Sequence, residues 1–228
     1  MIIANPTSFI IEWMRYTTLL VDLDGTVYDE RTGLWEQIGM RMNAYIQQML
    51  QLSLEDTIKL RRRYYESYGT TLRGLQIHHD VDADAYLAYV HDIPLANYLQ
   101  PDPALRALLD SLPQKKYIFT NADRAHAIRT MDVLDIRDCF DGIIDVCALK
   151  YHCKPEPEAY QIALSLCGNQ DPTRSIVIDD SEQNLSAAHE CGFTTVWVGR
   201  NSLHTTAHLQ IESLIDLPRV LPELWTAI

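Results

Sequence analysis

The sequence lacks long hydrophobic runs and paired cysteines. No stretch of its 228 residues approaches the ~18 consecutive apolar residues that a transmembrane helix needs. Residues 1–16 do not begin with basic residues followed by a long apolar run, as a signal peptide does. The five cysteines form no CxxC pair and no zinc-binding spacing, which is typical of reduced thiols that serve in packing. We therefore expect a cytoplasmic protein that does not associate with membranes.

Basic residues are also scarce. The chain has 19 Lys and Arg against 31 Asp and Glu, giving a formal net charge of −12 at pH 7. This balance argues against nucleic-acid binding, because a polyanion is bound by a basic face that displaces its counterions. A small anionic substrate remains compatible, since a metal ion and one or two local cations can override the overall field. The hydrophobic content of 47% argues against a disordered chain.

Five segments have the composition of buried strands, and helical patterns lie between most of them. The strand candidates are residues 18–22, 117–120, 142–146, 175–179 and 194–198. Helices are predicted to begin after Asp102, near Pro155 and near Ser181. This alternation predicts an α/β fold with a doubly wound, Rossmann-like parallel sheet. We assign this core domain to residues 17–27 and 101–228.

Residues 28–100 interrupt the alternation, because they contain helical patterns and no convincing strand. An insert directly after the first strand lies over the carboxyl edge of the sheet, so we expect an all-helical cap. Met40, Ala44, Met49 and Leu50 fit one face of a cap helix, and Tyr86, Leu87 and Val90 fit one face of another. The basic run at residues 61–63 is predicted to be a solvated helix face.

Both terminal segments carry apolar residues that predict packing against the rest of the molecule. We treat residues 1–16 as an N-terminal extension, with Phe9, Ile10, Ile11 and Trp13 as its apolar residues. The tail at residues 208–228 is predicted to dock on the sheet domain through Ile211, Leu214, Ile215 and Leu217.

The most informative residues are Asp22, Asp24 and Gly25, which directly follow the first predicted strand. Two carboxylates at the end of a buried strand cost free energy unless a metal ion or a positive side chain neutralises them. The carboxyl edge of a parallel sheet is also where α/β proteins bind ligands. One aspartate can attack a substrate, the other can move a proton, and both can help to hold a divalent cation.

Polar residues also mark the ends of other predicted strands. Thr120 and Asn121 end the second strand, Lys154 precedes a helix, and Asp179 and Asp180 end the fourth strand. Each has an ordinary structural explanation as a cap or a turn. Together, in an α/β arrangement, they favour a site for an anionic oxygen.

In this order the set resembles the haloacid dehalogenase-type (HAD) phosphatase superfamily. The matching motifs are Asp22-x-Asp24-Gly-Thr-Val, then Thr120, then Lys154, then Asp179-Asp180, and the resemblance spans residues 19–199. It implies a Rossmann-like core with an inserted C1-type helical cap. It also implies Mg²⁺-dependent hydrolysis of a small phosphomonoester through an aspartyl-phosphate.

The resemblance also implies a role for each matched residue. Asp22 looks like the nucleophile, and Asp24 looks like the general acid that later serves as the base. Thr120 and Lys154 look like phosphate-binding residues, and Asn121 is a further candidate. The implied direct Mg²⁺ ligands are Asp22, the carbonyl of Asp24, and Asp180, with Asp179 acting through water. Dehalogenating members use no acid at the position of Asp24, which favours phosphate esters over carbon–halogen bonds.

A narrower resemblance to the pyrimidine 5′-nucleotidase branch rests on several short segments. These are residues 68–75, His78-His79, residues 89–92 and 99–103, and residues 178–181 followed by Asn184. It implies a nucleoside monophosphate substrate. Arg73 is a candidate for binding phosphate, ribose or a base carbonyl, and His79 for contacting a base edge or satisfying a turn.

Other hypotheses stay open at this point: a phosphatase acting on a sugar phosphate or pyridoxal phosphate, a phosphomutase, or a non-catalytic interaction module. The sequence leaves the oligomeric state undetermined.

Overall fold

Six parallel strands form the central sheet. They are β1 (Thr18–Val21), β2 (Lys115–Phe119), β3 (Gly142–Ile144), β4 (Ser175–Asp179), β5 (Thr194–Val198) and β6 (Leu209–Ile211). Their order across the sheet is β3-β2-β1-β4-β5-β6, and every neighbouring pair is parallel. The structure, a computed structural model, describes residues 14–168, 171–200 and 206–226. The predicted α/β class is confirmed, and β6 is an additional strand too short for its pattern to be recognised.

Helices cover both faces of the sheet, because alternate side chains of β1 point to opposite sides. Leu19 and Val21 pack with α5 (Pro103–Ser111), α6 (Arg124–Leu134) and α9 (Leu217–Val220). Leu20 packs on the other face with α7 (Pro157–Leu166) and α8 (Glu182–Glu190). The sheet is therefore doubly wound, as the sequence predicts.

Local capping explains where the predicted helices begin. Asp102 accepts hydrogen bonds from the backbone N–H groups of Ala104 and Leu105, and Ser181 caps α8 through the N–H of Asn184. The helix predicted near Pro155 begins two residues later, because the N–H of Glu156 bonds to the carbonyl of Cys153 and closes a turn first.

The insert between β1 and α5 contains four α-helices: α1 (Leu34–Leu50), α2 (Leu54–Tyr68), α3 (Thr71–His79) and α4 (Ala83–Val90). They bury a cluster of their own that includes Ile46, Tyr64, Leu75 and Tyr86. The predicted all-helical character of this region agrees with the structure.

The ends of the insert pack differently from its middle. Leu34 and Ile38 at the start of α1, and Leu95 and Leu99 after α4, belong to the core of the sheet domain. Both connections are therefore anchored in that core. The domain division at residues 28 and 100 stays a prediction.

The apolar face predicted for α1 is packed only in part. Met49 and Leu50 are partly buried against the cluster of the insert, whereas Met40 and Ala44 are exposed. Leu34, Ile38 and Ile46 are the buried residues of this helix. Apolar residues occupy both sides of this helix, so their spacing alone does not distinguish the buried face.

The terminal segments bear on two further predictions. Ile211, Leu214 and Leu217 of the tail are buried in the sheet core, whereas Ile215 is 52% exposed. Phe9, Ile10, Ile11 and Trp13 of the N-terminal extension lie outside the described residues.

The five cysteines are free thiols. In the described ranges, no helix has both the length and the apolar composition to cross a bilayer.

Candidate active site

A buried lysine joins the carboxyl ends of three strands. The Nζ atom of Lys154 lies 2.8 Å from Oδ1 of Asp22 and 2.6 Å from Oδ2 of Asp179, and it donates to the carbonyl of Phe119 at 2.7 Å. Asp22 directly follows β1, and its N–H continues the ladder by bonding to the carbonyl of Ile178. The structure thus brings together three of the predicted site residues.

Asn121 holds the backbone of this lysine. Its Oδ1 atom accepts from the N–H of Lys154 at 2.8 Å, and its Nδ2 atom donates to the carbonyl of Lys154 at 3.0 Å. The side chain of Asn121 thus positions Lys154. Asn121 also lines the cavity described below, and its predicted part in substrate binding stays a prediction.

The pKa shifts of Lys154 and Asp22 indicate that negative charge exceeds positive charge in the site. Burial alone would lower the pKa of Lys154, but the charges of Asp179 and Asp22 outweigh it and raise that pKa. Burial raises the pKa of Asp22 to about 7, even though Lys154 acts in the opposite direction. One ammonium therefore does not neutralise the carboxylates around it.

The carboxylates of Asp22, Asp179 and Asp180 each offer an oxygen, and these three oxygens lie within 4.8 Å of one another. Desolvation and the nearby charges of Asp22 and Asp179 raise the pKa of Asp180 to about 8. Hard oxygen ligands with excess negative charge suit a divalent cation such as Mg²⁺ or Ca²⁺.

Asp179 and Asp180 differ in their availability to an ion. Asp179 is fully buried, and its oxygens accept from Lys154, from the N–H of Ser181 and from the Nδ2 atom of Asn184. Asp180 is exposed and packs against Gly25, where an added Cβ would lie 2.3 Å from its Oδ2 atom. Asp22 and Asp180 are thus the carboxylates free to bind a cation directly.

Asp24 lies in the same cavity as Asp22, but its environment differs. Its Oδ1 atom accepts a hydrogen bond from the hydroxyl of Tyr28 and another, at 2.8 Å, from Nε2 of His126. Burial acts to raise the pKa of Asp24, but the electrostatic attraction and hydrogen bond of His126, together with Tyr28, hold that pKa below its usual value. The two carboxylates therefore have opposite pKa shifts, and in the metal-free site Asp22 holds a proton more tightly than Asp24 does.

A cavity of about 590 Å³ connects these residues to the insert. Its sheet end is lined by Asp22, Asp24, Thr120, Asn121 and Asp180. The Oγ1 atom of Thr120 accepts from the N–H of Ala122 at 3.0 Å, which leaves the hydroxyl hydrogen free to donate. The helices of the insert contribute Trp35, Ile58, Arg61, Arg62, Tyr65 and Tyr86.

Two predicted substrate-binding residues do not reach this cavity. The Nε atom of Arg73 donates to Oε1 of Glu156 at 2.9 Å, so an ion pair holds its guanidinium elsewhere. His79 is exposed, and its Nε2 atom lies 2.7 Å from the hydroxyl of Tyr64. Neither residue is part of the cavity lining.

Other residues line or contact the site without having been predicted from the sequence. Arg61 belongs to a run predicted to be solvated, yet it lines the cavity and bonds to the carbonyl of Gly39 and to Asn43. His126 lies in the first turn of α6, which begins at the carboxyl edge of the sheet, and this position is the only sequence signal that marks it.

The fold and the site together define an α/β protein with a cluster of carboxylates at the ends of parallel strands. A family model for haloacid dehalogenase-like hydrolases matches residues 16–192. The chain belongs to that family, as the motifs in its sequence imply.

Two similar proteins have curated names. Phosphate metabolism protein 8 of Saccharomyces cerevisiae is 30% identical over 207 residues, which cover 84% of this chain and 62% of that protein. The chain thus spans less than two thirds of the length of that relative. Fructose-1-phosphate phosphatase YqaB of Escherichia coli is 24% identical over 190 residues, which cover 80% of this chain and 96% of that protein.

Solved structures share the fold at lower identity. A HAD phosphatase from Thermococcus onnurineus has a TM-score of 0.62 at 19% identity, covering 90% of this chain and 97% of its own. L-2-haloacid dehalogenase from Xanthobacter autotrophicus has a TM-score of 0.60 at 18% identity, covering 91% of this chain and 98% of its own. At these identities the likeness concerns the fold alone.

Proposed function

We propose that the protein is an Mg²⁺-dependent phosphomonoester hydrolase that acts through an aspartyl-phosphate on Asp22, with pyrimidine nucleoside 5′-monophosphates as its preferred substrates. The observation that carries this proposal is the pairing of two unlike carboxylates in one cavity. Asp22 is held by the ammonium of Lys154, and Asp24 is held by Tyr28 and His126. A nucleophile and a separate proton carrier are what stepwise ester hydrolysis requires.

In the first step, a carboxylate oxygen of Asp22 attacks the phosphorus atom and the ester P–O bond breaks. Asp24 gives its proton to the leaving oxygen. In the second step, Asp24 takes a proton from water, the water oxygen attacks phosphorus, and the bond to Asp22 breaks to release phosphate. Asp24 must be protonated when the first step begins, and an approaching phosphate dianion favours protonation because like charge raises a carboxyl pKa.

The residues present fit a magnesium ion. Asp22, the carbonyl of Asp24, and Asp180 would hold it directly, and Asp179 would act through water, because Lys154, Ser181 and Asn184 already use its oxygens. When bound, the ion would neutralise charge on the transferring phosphoryl group. The hydroxyl of Thr120 would bind a phosphoryl oxygen, and Lys154, whose three donors already bond to Asp22, Phe119 and Asp179, would act on the phosphoryl group through its charge.

The presence of Asp24 also bears on the choice between hydrolytic reactions. The dehalogenase among the similar structures cleaves carbon–halogen bonds by name. A halide leaves as a weak base and needs no proton, whereas an alkoxide leaving group does. A second carboxylate fixed in the cavity therefore favours an oxygen ester as the substrate.

The residues that line the cap end of the cavity favour a nucleotide as the substrate. Trp35 and Tyr65 line it while remaining 49% and 45% exposed, which leaves aromatic surface for a flat base. The Nε atom of Arg61 and the hydroxyl of Tyr86 are buried, and neither has a hydrogen-bond partner among the described residues. Such donors gain from an acceptor on the ligand, and the carbonyl oxygens of uracil and cytosine would supply one. A volume of about 590 Å³ lies within the range typical of small-ligand pockets.

A sugar phosphate is the second candidate, because one relative is named a fructose-1-phosphate phosphatase. The deciding experiment is phosphate release from UMP, CMP, AMP, GMP, fructose 1-phosphate and pyridoxal phosphate, with and without Mg²⁺. The proposal expects Mg²⁺-dependent release that favours UMP and CMP. A preference for fructose 1-phosphate would retain the chemistry and overturn the nucleotide assignment.

Asp22→Asn is the control for the chemistry, and it should abolish release from every substrate. The exposed Asp132→Asn change provides a matched substitution remote from the cavity. Release that persists in Asp22→Asn would contradict the aspartyl-phosphate mechanism.

A further inference from the structure

Both hydrogen bonds to Asp24 converge on one of its two oxygens. The hydroxyl of Tyr28 and Nε2 of His126 contact Oδ1, while Oδ2 accepts no hydrogen bond from the described residues. Because a carboxylate only accepts, we assign a proton to Nε2 of His126. This arrangement distinguishes the two oxygens: Oδ1 is held by the protein, and Oδ2 is free to exchange a proton with a ligand.

The imidazole of His126 is itself held in place. It stacks on the ring of His91, with 4.2 Å between ring centroids and 19° between ring planes. The Nδ1 atom of His91 lies 2.5 Å from Oδ2 of Asp123, whose Oδ1 atom caps α6 by accepting from the N–H of His126. Arg129 donates to the carbonyl of His91 at 2.7 Å, which ties the end of α4 to α6.

A role in packing alone does not account for the buried imidazole of His126. The His126 side chain is fully buried, and its Nδ1 atom has no hydrogen-bond partner within the described part of the chain. An apolar side chain of similar volume would fill the same space without that desolvation cost. The contact that an apolar residue would lack is the hydrogen bond to Asp24.

We propose that His126 is a positioning residue for the acid–base step: its Nε2–H holds Oδ1 of Asp24, so that Oδ2 faces the leaving oxygen in the first step and the attacking water in the second. His91 and Asp123 hold the imidazole in the orientation this requires. The inference rests on the proposed function, because it assigns His126 a part in that reaction. No bond is made or broken at His126.

The test compares leaving groups, because acid catalysis matters for an alkoxide and little for p-nitrophenolate. In His126→Phe, which keeps a flat ring but removes the donor, kcat/KM for UMP should fall by about 10- to 100-fold. For p-nitrophenyl phosphate, kcat/KM of the variant should stay within about threefold of the wild-type value. This constant reports only the transfer of the phosphoryl group to Asp22, and p-nitrophenolate leaves without needing a proton.

The second step gives an independent readout. With p-nitrophenyl phosphate, kcat of His126→Phe should fall because Asp24 is misplaced as the base for water. Rapid mixing should then show a burst of p-nitrophenol approaching one equivalent per enzyme, since the aspartyl-phosphate accumulates. A variant that is merely less well folded would show neither the substrate difference nor the burst.

Two further variants keep the test decisive. His126→Gln places an amide N–H near the position of Nε2 and should restore most of the kcat/KM for UMP. His91→Phe should reproduce the pattern of His126→Phe more weakly, and it provides a second test if His126→Phe does not fold. Circular dichroism and thermal unfolding establish folding for each variant.

The outcomes separate this inference from the proposed function. If the wild-type protein hydrolyses UMP in an Asp22- and Asp24-dependent manner but the folded His126 variants lose activity equally on both substrates, the inference is wrong. Unchanged activity in His126→Phe would overturn it as well. A wild-type protein that releases no phosphate from any ester would instead refute the proposed function.

Discussion

The ammonium of Lys154 lies 2.8 Å from Oδ1 of Asp22. This contact joins the loop before α7 to the end of β1. The same ammonium contacts Asp179 at the end of β4. A residue remote in sequence thus neutralises part of the carboxylate cluster.

Replacing Lys154 by Met should destabilise the fold as well as the site. The change leaves Asp22 and Asp179 without their cation, and breaking a buried pair in this way typically costs about 3–5 kcal/mol of unfolding free energy. Urea unfolding at neutral pH measures this loss of unfolding free energy. Lys116→Met is the matched control, because the Nζ atom of Lys116 is buried and its hydrogen bonds within the described residues go to the carbonyls of Leu112 and Gln114. Equal losses in the two variants would show that the ion pairs contribute nothing specific.

The raised carboxyl pKa values predict how stability depends on pH in metal-free protein. Asp22 and Asp180 titrate at about 7 and about 8 when folded, against a usual value of 3.8. The folded state therefore binds more protons than the unfolded state over this interval, so these groups reduce stability as the pH rises from about 4 to about 8.

Asp180→Asn isolates this contribution. In EDTA, its melting temperature should exceed that of the wild-type protein at pH 8, and the difference should shrink towards pH 5. Mg²⁺ should raise the melting temperature of the wild type more than that of the variant, because it neutralises Asp180. A difference that is independent of pH would argue against the titration of this cluster.

Gly25→Ala should impair the proposed metal site through steric contact. The added Cβ would lie 2.3 Å from Oδ2 of Asp180, at a residue with φ of +94°. We expect the Mg²⁺ concentration for half-maximal activity to rise by about 10-fold or more, as for other disturbances of metal-ligand support. Gly168→Ala, with φ of +67° and no atom of the described residues within 4 Å of the new Cβ, controls for backbone strain alone. An unchanged Mg²⁺ requirement in Gly25→Ala would contradict the assignment of Asp180 as a ligand.

Arg61→Gln tests the cap end of the cavity. Loss of a hydrogen bond from a charged donor typically costs about 1.5–3 kcal/mol, so the kcat/KM ratio of UMP to p-nitrophenyl phosphate should fall by about 10-fold or more. Arg63→Gln is the matched control, because Arg63 is exposed, lies over the ring of Tyr64 and does not line the cavity. Similar ratios in both variants would exclude Arg61 from base recognition.

Much of the fold and of the core of the site could be predicted from sequence patterns, because they rest on local rules. Apolar runs followed by polar residues mark β1 and β4, and Asp102 and Ser181 mark helix starts through their caps. The strand ends of a parallel sheet meet at one edge, so Asp22, Thr120 and Asp179 could be expected near one another.

The cap was harder to predict, because the side on which a helical residue is buried depends on its packing partners. Arg73 is held by Glu156, which lies 83 residues away in the chain, and His79 is held by Tyr64 of a neighbouring helix. From the sequence alone Arg61 is predicted to be a surface residue, but in the structure its guanidinium donates to the carbonyl of Gly39 in α1. Local propensity carries no information about such contacts.

The sequence by itself determined the sheet class, the helical insert and the carboxylate and lysine motifs, because periodicity and strand-end chemistry are local properties. Only the tertiary structure decided that Lys154 bridges Asp22 and Asp179, that His126 contacts Asp24, and that Arg61 lines the cavity. Each of these contacts joins segments far apart in the chain. Their existence depends on how the elements pack, and that packing is a property of the whole fold.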